Sequence, residues 1–466
     1  MSIASLTNIK EILIQASRYL IIFLMIVYTV QSYTVFARSG RSRKNLFLRQ
    51  NLAMFTIHFI GYLILYLEQG GVKILLFYGA QVMYLLAVLL LMQGFYPRLS
   101  RLLLNHMCML STIGFIMIAR LAYDSAVRQF VIIAGGTVAA LLIPVIVRKV
   151  MGLSRLTWAY VFVGIGMLGL VLAAARVTNG ARINIEIHGF TFAPSEFVKI
   201  IYVFAVAGLI KEAGDLKKLT LAALLAAVHV LLLVVSKDLG SALIFYVAFL
   251  VVLFAGTKNP FLVLAGILAG ILAATAAYFL FSHVKVRVDV WLDPFADYTG
   301  KGYQISQSLF SIAAGGWFGT GLGLGAPGTI PFVQQDFMFS AIAEELGGIF
   351  AVCLVAVCLN CFIMFINVAM KLSNTFYRLV AVGLGTTYAV QVFLTIGGGI
   401  KLIPMTGVTL PLVSYGGSSA LSTIAMFSIV QGLYMMRVDE VDKDEEERRS
   451  GPEGYPDQGS EAWQWE

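Results

Sequence analysis

The sequence predicts an all-α, polytopic integral membrane protein, and three observations predict it. The first is composition: of 466 residues, 59% are hydrophobic and 12% are charged, whereas a soluble domain is nearer half apolar and a quarter charged. The second is the recurrence of apolar stretches of about 18 residues or more, each long enough to cross a bilayer core as a helix. Stretches such as 221–235 are apolar on every side. Barrel strands would instead alternate apolar and polar residues with a period of two. The third is the placement of basic residues in short connecting loops. That makes the net charge of +8 a topology signal rather than a footprint for nucleic acid.

Thirteen candidate spans follow, at roughly 11–36, 51–67, 73–96, 102–122, 129–147, 156–176, 195–210, 219–235, 239–256, 260–281, 336–366, 378–396 and 410–436. The first is too long for a signal peptide and lacks a small-residue cleavage site, so it should stay as an anchor. Basic residues follow each odd-numbered span: Arg38 to Arg49 after the first, Arg98 and Arg101 after the third, and Arg148, Lys149 and Arg155 after the fifth. Lys211, Lys217 and Lys218 follow the seventh, Lys258 the ninth, and Lys371 and Arg378 the eleventh. The positive-inside bias then puts these loops and the C-terminus in the cytoplasm and the N-terminus outside.

Two outer segments stand out, 177–194 and 282–335. A long loop in a compact protein is functional or disordered. The second holds Trp291, Tyr303, Phe310, Trp317 and Phe332, and 305–314 reads as a short helix. Its glycines, 315–325, lack the spacing of a phosphate loop and read as tight turns. The segment 438–466 is acidic and mixed in charge, and reads as a disordered cytoplasmic tail. Cys108, Cys353, Cys358 and Cys361 lie in apolar stretches. The CxxC spacing of the last two has no second pair to complete a metal site, so they read as small buried residues.

Ionisable residues within or beside spans are costly and mark function by default. Glu196 and Lys199, at i and i+3, can pair on one helical face, as a structural ion pair or part of a site. Asp238 stands at the turn between spans eight and nine and could cap a helix. Asp336 lies where the long outer segment re-enters the membrane. Span eleven would be about 45 Å long, longer than the hydrocarbon core, so its first turns should face an external cavity. Asp336, Ser340 and Glu344 would form one polar stripe with Glu345 beside it. Asp336 is then a candidate general base or a helix cap. Lys401 lies in a Gly-rich, irregular segment that should line a cavity, facing an anion or snorkelling to the interface.

Six blocks resemble the SEDS family of cell-wall glycan polymerases, which comprises FtsW, RodA and SpoVE. They are FAPSEFVK at 192–199, KDLGSALIF at 237–245 and the Gly-rich outer stretch 300–323. DFMFSAIAEELG at 336–347, LIPMTGVTLP at 402–411 and PLVSYGGSS at 411–419 complete the set. The resemblance implies a ten-helix core at 102–437, preceded by three extra spans at 1–101. It implies a glycosyltransferase that polymerises lipid II, an undecaprenyl-pyrophosphate-linked disaccharide peptide, at the outer face of the bacterial cytoplasmic membrane. Asp336 matches the family's catalytic aspartate, which deprotonates the acceptor hydroxyl for an inverting attack on the anomeric carbon. Arg182, Glu196, Lys199, Asp238, Arg287, Gln304, Gln307, Glu344, Glu345, Lys401, Ser414 and Ser418 are candidate substrate-binding residues. Basic groups or a divalent cation, Mg²⁺ or Mn²⁺, must offset the charge of the leaving pyrophosphate; no organic cofactor is expected. A class B penicillin-binding protein, the transpeptidase, is the expected partner. The sequence departs from the family pattern at Ala193, Lys237, Gln334–Gln335, Thr395 and Lys401. Two other readings remain: a flippase for the lipid-linked precursor, and a weakly active scaffold for a transpeptidase. A transporter would show repeated halves and helices broken at the midplane; the chain shows no internal repeat.

Overall fold

The computed structural model describes residues 3–150, 152–174, 185–187 and 190–450, and it is helical almost throughout. The helices are α1 (Ile3–Thr34), α2 (Gly40–Gln69), α3 (Val72–Phe95), α4 (Arg101–Leu121), α5 (Tyr123–Ala140), α6 (Ile143–Lys149), α7 (Thr157–Ala174) and α8 (Pro194–Glu212). They continue as α9 (Leu216–Val235), α10 (Leu239–Thr257), α11 (Pro260–Leu280), α12 (Ser282–Leu292), α13 (Tyr303–Gly315), α14 (Met338–Met370), α15 (Thr375–Gly399) and α16 (Gly417–Ser450). Twelve described spans are long and apolar enough to cross a membrane; the protein is a multi-pass membrane protein. The remaining expected span is α8, a 19-residue helix that carries Glu196 and Lys199 near its start and Lys211 and Glu212 at its end. The antiparallel strands β1 (Ile185–Ile187) and β2 (Phe190–Phe192) pair just before it.

Helix polarity tracks position. α11 has no buried residue and is apolar all round, as a lipid-facing helix should be. α4 is enclosed over its whole spanning window, and it carries Asn105, His106, Ser111 and Thr112, all buried. Partners meet most of these polar groups, the Thr112 hydroxyl being the exception. His106 Nε2 lies 3.0 Å from Asn360 Oδ1 of α14, and its Nδ1 lies 3.0 Å from Tyr28 Oη of α1. Asn105 donates to Gln50 Oε1 of α2 at 3.0 Å. The first two helices are thus bonded to the rest, with α1 packed on α14 and α2 on α4, and α3 joins them through Tyr84 Oη, 2.8 Å from Thr137 Oγ1 of α5.

One expectation gains detail and two change. The long outer segment folds: the expected helix at 305–314 is α13, and α12 and a short 3-10 turn at Pro327–Thr329 accompany it. The charged run after residue 438 continues α16 to Ser450 rather than being disordered at once. Asp439 meets Arg148 and Arg98 at 2.6 and 3.0 Å, and Asp442 meets Arg98 at 2.7 Å. These contacts hold the helix end and gather the ends of α3, α6 and α16 on one face. Span eleven is also not one straight helix. α14 breaks at Gly347, whose φ of 89° suits glycine. Residues 316–321 fill the break: Thr320 and Gly321 donate to the carbonyls of Glu344 and Glu345 at 2.8 and 3.0 Å, and Gly348 donates to Gly316 at 2.8 Å. Broken helix backbone is tolerated in a membrane only where such partners are supplied.

Candidate active-site cavity

A cavity of about 350 Å³ opens beside the start of α14. Its walls come from four places: α12, the start of α13, the residues just before α14, and the irregular segment between α15 and α16. Asp336 is the one carboxylate among its lining residues, and Arg287, Lys301 and Lys401 are its cations. Gln304, Trp291 and Phe332 complete the polar and aromatic lining.

Local geometry explains how each group arrives. Asp336 precedes α14 in a turn in which its N–H donates to Phe332 O at 3.2 Å. Phe332 has a left-handed φ of 59°. The N-cap position of α14 is Phe337, with no side-chain cap bond, so the helix-cap reading of Asp336 has no support. Arg287 projects from α12, and its Nη1 donates to the Thr406 carbonyl at 3.2 Å. Trp291, one turn further on, donates from Nε1 to the Lys401 carbonyl at 3.2 Å. These two bonds tie α12 to the irregular segment and hold the far wall in place. Lys401 itself has φ 62°. At such a position an L side chain is disfavoured by about 1 kcal/mol, and strained backbone of this kind gathers at functional sites.

Electrostatics follow from this arrangement. Asp336 is half-buried. Loss of water pushes its carboxyl from 3.8 up to about 6, against the opposing pull of Arg287. Burial lowers the Arg287 guanidinium from its usual value, and Asp336 and Asp238 pull it back. A carboxylate that titrates near 6 is basic enough to accept a proton and still ionised at neutral pH, as a general base requires. Three cations around one carboxylate make a site for an anion. The set does not fit a resident divalent cation, which takes several oxygen ligands.

The other candidates fall elsewhere. Glu196 and Lys199 do pair, at 2.8 Å, and Lys199 is buried. Lys199 also donates to Gln391 at 2.5 Å, and Ser422 donates to Glu196 at 3.1 Å. That cluster joins α8, α15 and α16, and none of its members lines the cavity. Asp238 is the N-cap of α10, accepting from the Ser241 N–H at 3.1 Å. Its carboxyl is raised, chiefly by burial. Gln307 lies one turn beyond Gln304 and is half-buried. Ser414 accepts from the Leu410 N–H at 3.1 Å, and Ser418 from the Ala193 N–H at 3.0 Å; both brace backbone. Arg182 lies outside the described residues.

The expected stripe of Asp336, Ser340 and Glu344 is not there. α14 begins at Met338, so Asp336 is not on the helix. Ser340 is buried against Ser308, Oγ to Oγ, at 2.6 Å. Glu344 accepts from the Ala326 N–H at 2.7 Å, and Glu345 pairs with Arg120 at 3.0 Å. Both glutamates therefore brace the Gly-rich stretch. Lys301 is the charged lining residue that sequence reasoning did not single out, and Trp291 enters it only among the aromatics of the outer segment. One signal was available for Lys301: a lysine on the expected outer side runs against the positive-inside bias.

Comparison with known proteins places the chain among its relatives. Residues 100–438 match a family model described as cell cycle protein, covering FtsW, RodA and SpoVE. The chain is 37% identical over 370 residues to the peptidoglycan glycosyltransferase RodA of Mycobacterium tuberculosis H37Rv, spanning 73% of this chain and 79% of that one. It is 33% identical over 291 residues to an FtsW of Tolumonas auensis, spanning 59% of this chain and 74% of that one. Among solved structures, it matches a chain of a peptidoglycan synthase complex that coordinates polymerization and crosslinking, with a TM-score of 0.64 and 28% identity over 73% of this chain and 98% of that one. It also matches the rod shape determining protein RodA of Thermus thermophilus, with a TM-score of 0.56 and 25% identity over 73% of this chain and 97% of that one. The chain belongs to the FtsW, RodA and SpoVE family of cell cycle proteins.

Proposed function

We propose that this protein is a peptidoglycan glycosyltransferase that polymerises lipid II, with Asp336 as its general base. The observation that carries the reading is the cavity in which Asp336, the one lining carboxylate, shares the space with Arg287, Lys301 and Lys401. A polymerase that displaces a diphosphate needs those two elements together: a base for the acceptor hydroxyl and positive charge for the leaving group. Asp336 takes the hydroxyl proton, and the acceptor oxygen attacks the anomeric carbon. The carbon–oxygen bond to the diphosphate then breaks with inversion. Its negative charge is met by the guanidinium and the two ammonium groups. Gln304 and Trp291 are placed to hold the sugar, the one by hydrogen bonds and the other by its ring face. A Mg²⁺ or Mn²⁺ ion would find a single carboxylate in this lining and would have to be carried in on the diphosphate.

The cavity opens on the outer side in our orientation, with the N-terminus outside and the C-terminus in the cytoplasm. The clustering of Arg98 and Arg148 with Asp439 supports that orientation, because it collects basic loops and the C-terminal helix on one face. The three-plus-ten organisation is supported by the family match, which begins at residue 100. A class B penicillin-binding protein is the partner we assign, on the likeness to a synthase complex that joins polymerization to crosslinking. The test is polymerisation of lipid II by the purified full chain, with and without that partner. Glycan strands from the wild type and none from Asp336→Asn are expected. Lipid II movement across vesicles without polymer would favour the flippase instead.

A further inference from the structure

Residues 1–99 lie outside the match to the family, yet they reach the scaffold of the candidate site. The outer part of α1 lies on the Gly-rich stretch. Arg18 Nη1 donates to the Gly319 carbonyl at 3.0 Å, and Tyr19 packs its ring on Phe318 with centroids 5.7 Å apart. Ile14 stands over Gly321, where an added Cβ would meet it at 3.4 Å. This same stretch supplies the N–H groups of Thr320 and Gly321 to the Glu344 and Glu345 carbonyls, which the break at Gly347 leaves without helical donors. The half-helix they stabilise, 338–346, begins two residues after Asp336.

The geometry points to the N-terminal three-helix unit as a positioning element for the polymerase site, with Arg18 as the positioning residue that grips its supporting loop. The inference rests on the polymerase reading of Asp336. The chain of contacts is continuous: the Arg18 guanidinium holds the Gly319 carbonyl, the next two amides hold the free carbonyls of the broken helix, and that helix fixes the direction in which Asp336 enters the cavity. The anchor is independent of the loop. Tyr28 and Ser32, further along α1, are bonded to His106 and Asn360 within the core, so α1 cannot slide away when the loop moves. The loop is also held from the core side, by Gly348 and Ile349 donating to the Gly316 and Trp317 carbonyls and by Arg120 donating to the Gly323 and Gly325 carbonyls. Arg18 adds the hold from the opposite, N-terminal side, on a glycine-rich stretch that is costly to order.

The test uses the full-length protein and two measurements: steady-state lipid II polymerisation, and hydrogen exchange at Thr320 and Gly321. Arg18→Ala should lower turnover roughly 3- to 30-fold with KM unchanged, the range typical of mutations that act through a contact network. The same variant should speed exchange at both amides. Arg18→Lys keeps a donor within reach of the carbonyl and should restore most of both. Tyr33→Phe removes a bond from the same helix to Ala356, away from the loop, and should match the wild type. Should Arg18→Ala fail to insert, Ile14→Ala gives a weaker change of the same sign. Unchanged exchange in Arg18→Ala overturns the grip whatever the activity. Faster exchange with unchanged turnover, or a rise in KM alone, overturns the positioning role. A wild type that makes no glycan overturns the polymerase reading and with it the catalytic part, while the exchange measurement still decides the contact.

Discussion

Two polar clusters sit inside this membrane protein, and they are built in opposite ways. Around Glu196 and Lys199 every charge is answered: the pair meets at 2.8 Å, Gln391 takes the lysine and Ser422 donates to the glutamate. Around Asp336 the charges are spread over the wall of an open cavity, with Arg287 tied to a backbone carbonyl instead of to the carboxylate. The first cluster is saturated and closed, which is what a low-dielectric interior demands of charges that only hold helices together. The second is left under-bonded and accessible, which is what a reacting group needs. Both clusters carry residues in motifs shared with the family, so motif membership does not separate structure from chemistry here. Saturation does.

The largest effect should come from breaking the closed cluster. Lys199→Ala leaves Glu196 without its cation and should cost about 3 kcal/mol or more of folded stability, the range for a broken buried pair. Thermal unfolding and folded yield in detergent would read it. The double change Glu196→Ala with Lys199→Ala should recover part of the loss; a double that equals the sum of the singles would reject the pairing.

Asp336→Asn should do the reverse, leaving stability unchanged or raised at neutral pH, where it removes a carboxylate that burial disfavours, and reducing polymerisation at least about 10²-fold. Asparagine keeps the size and hydrogen-bonding capacity but cannot take the proton. Near-normal polymerisation by this variant, free of other glycosyltransferases, would sink the catalytic assignment. A pH profile sharpens the same point. The base must be ionised, so the rate should fall as the pH drops through about 6 and level off above it. Arg287→Gln removes the cation that opposes the upward shift, so the limb should move to higher pH. For stability the sign is opposite: the folded carboxyl titrates above its usual value of 3.8. Its contribution is then fully present below that value and lost as the pH rises through about 6.

The smallest effect should be at Asp238. Its side chain caps α10, so Asp238→Asn should be nearly neutral and Asp238→Ala should cost about 1 kcal/mol. A loss of activity in the asparagine variant with intact stability would move this residue from the frame into the site.

What the sequence by itself determined is what local chemistry dictates. The bilayer accepts helices and rejects unpaired backbone, so the spans, the short helix before the Gly-rich stretch and the Glu196–Lys199 pair were legible from hydropathy and helical spacing. Asp336 was legible too, through its place at a membrane entry and through its motif. Only the tertiary structure decided which charges share a space. It placed Lys301 and Trp291 at the cavity and turned Glu344 and Glu345 away toward the Gly-rich stretch. It also broke α14 at Gly347 and carried the charged run after residue 438 into a helix pinned by Arg98 and Arg148. Each of these depends on hydrogen bonds or ion pairs between residues far apart in the chain. A periodicity read along one helix carries no information about the donor that will arrive from another.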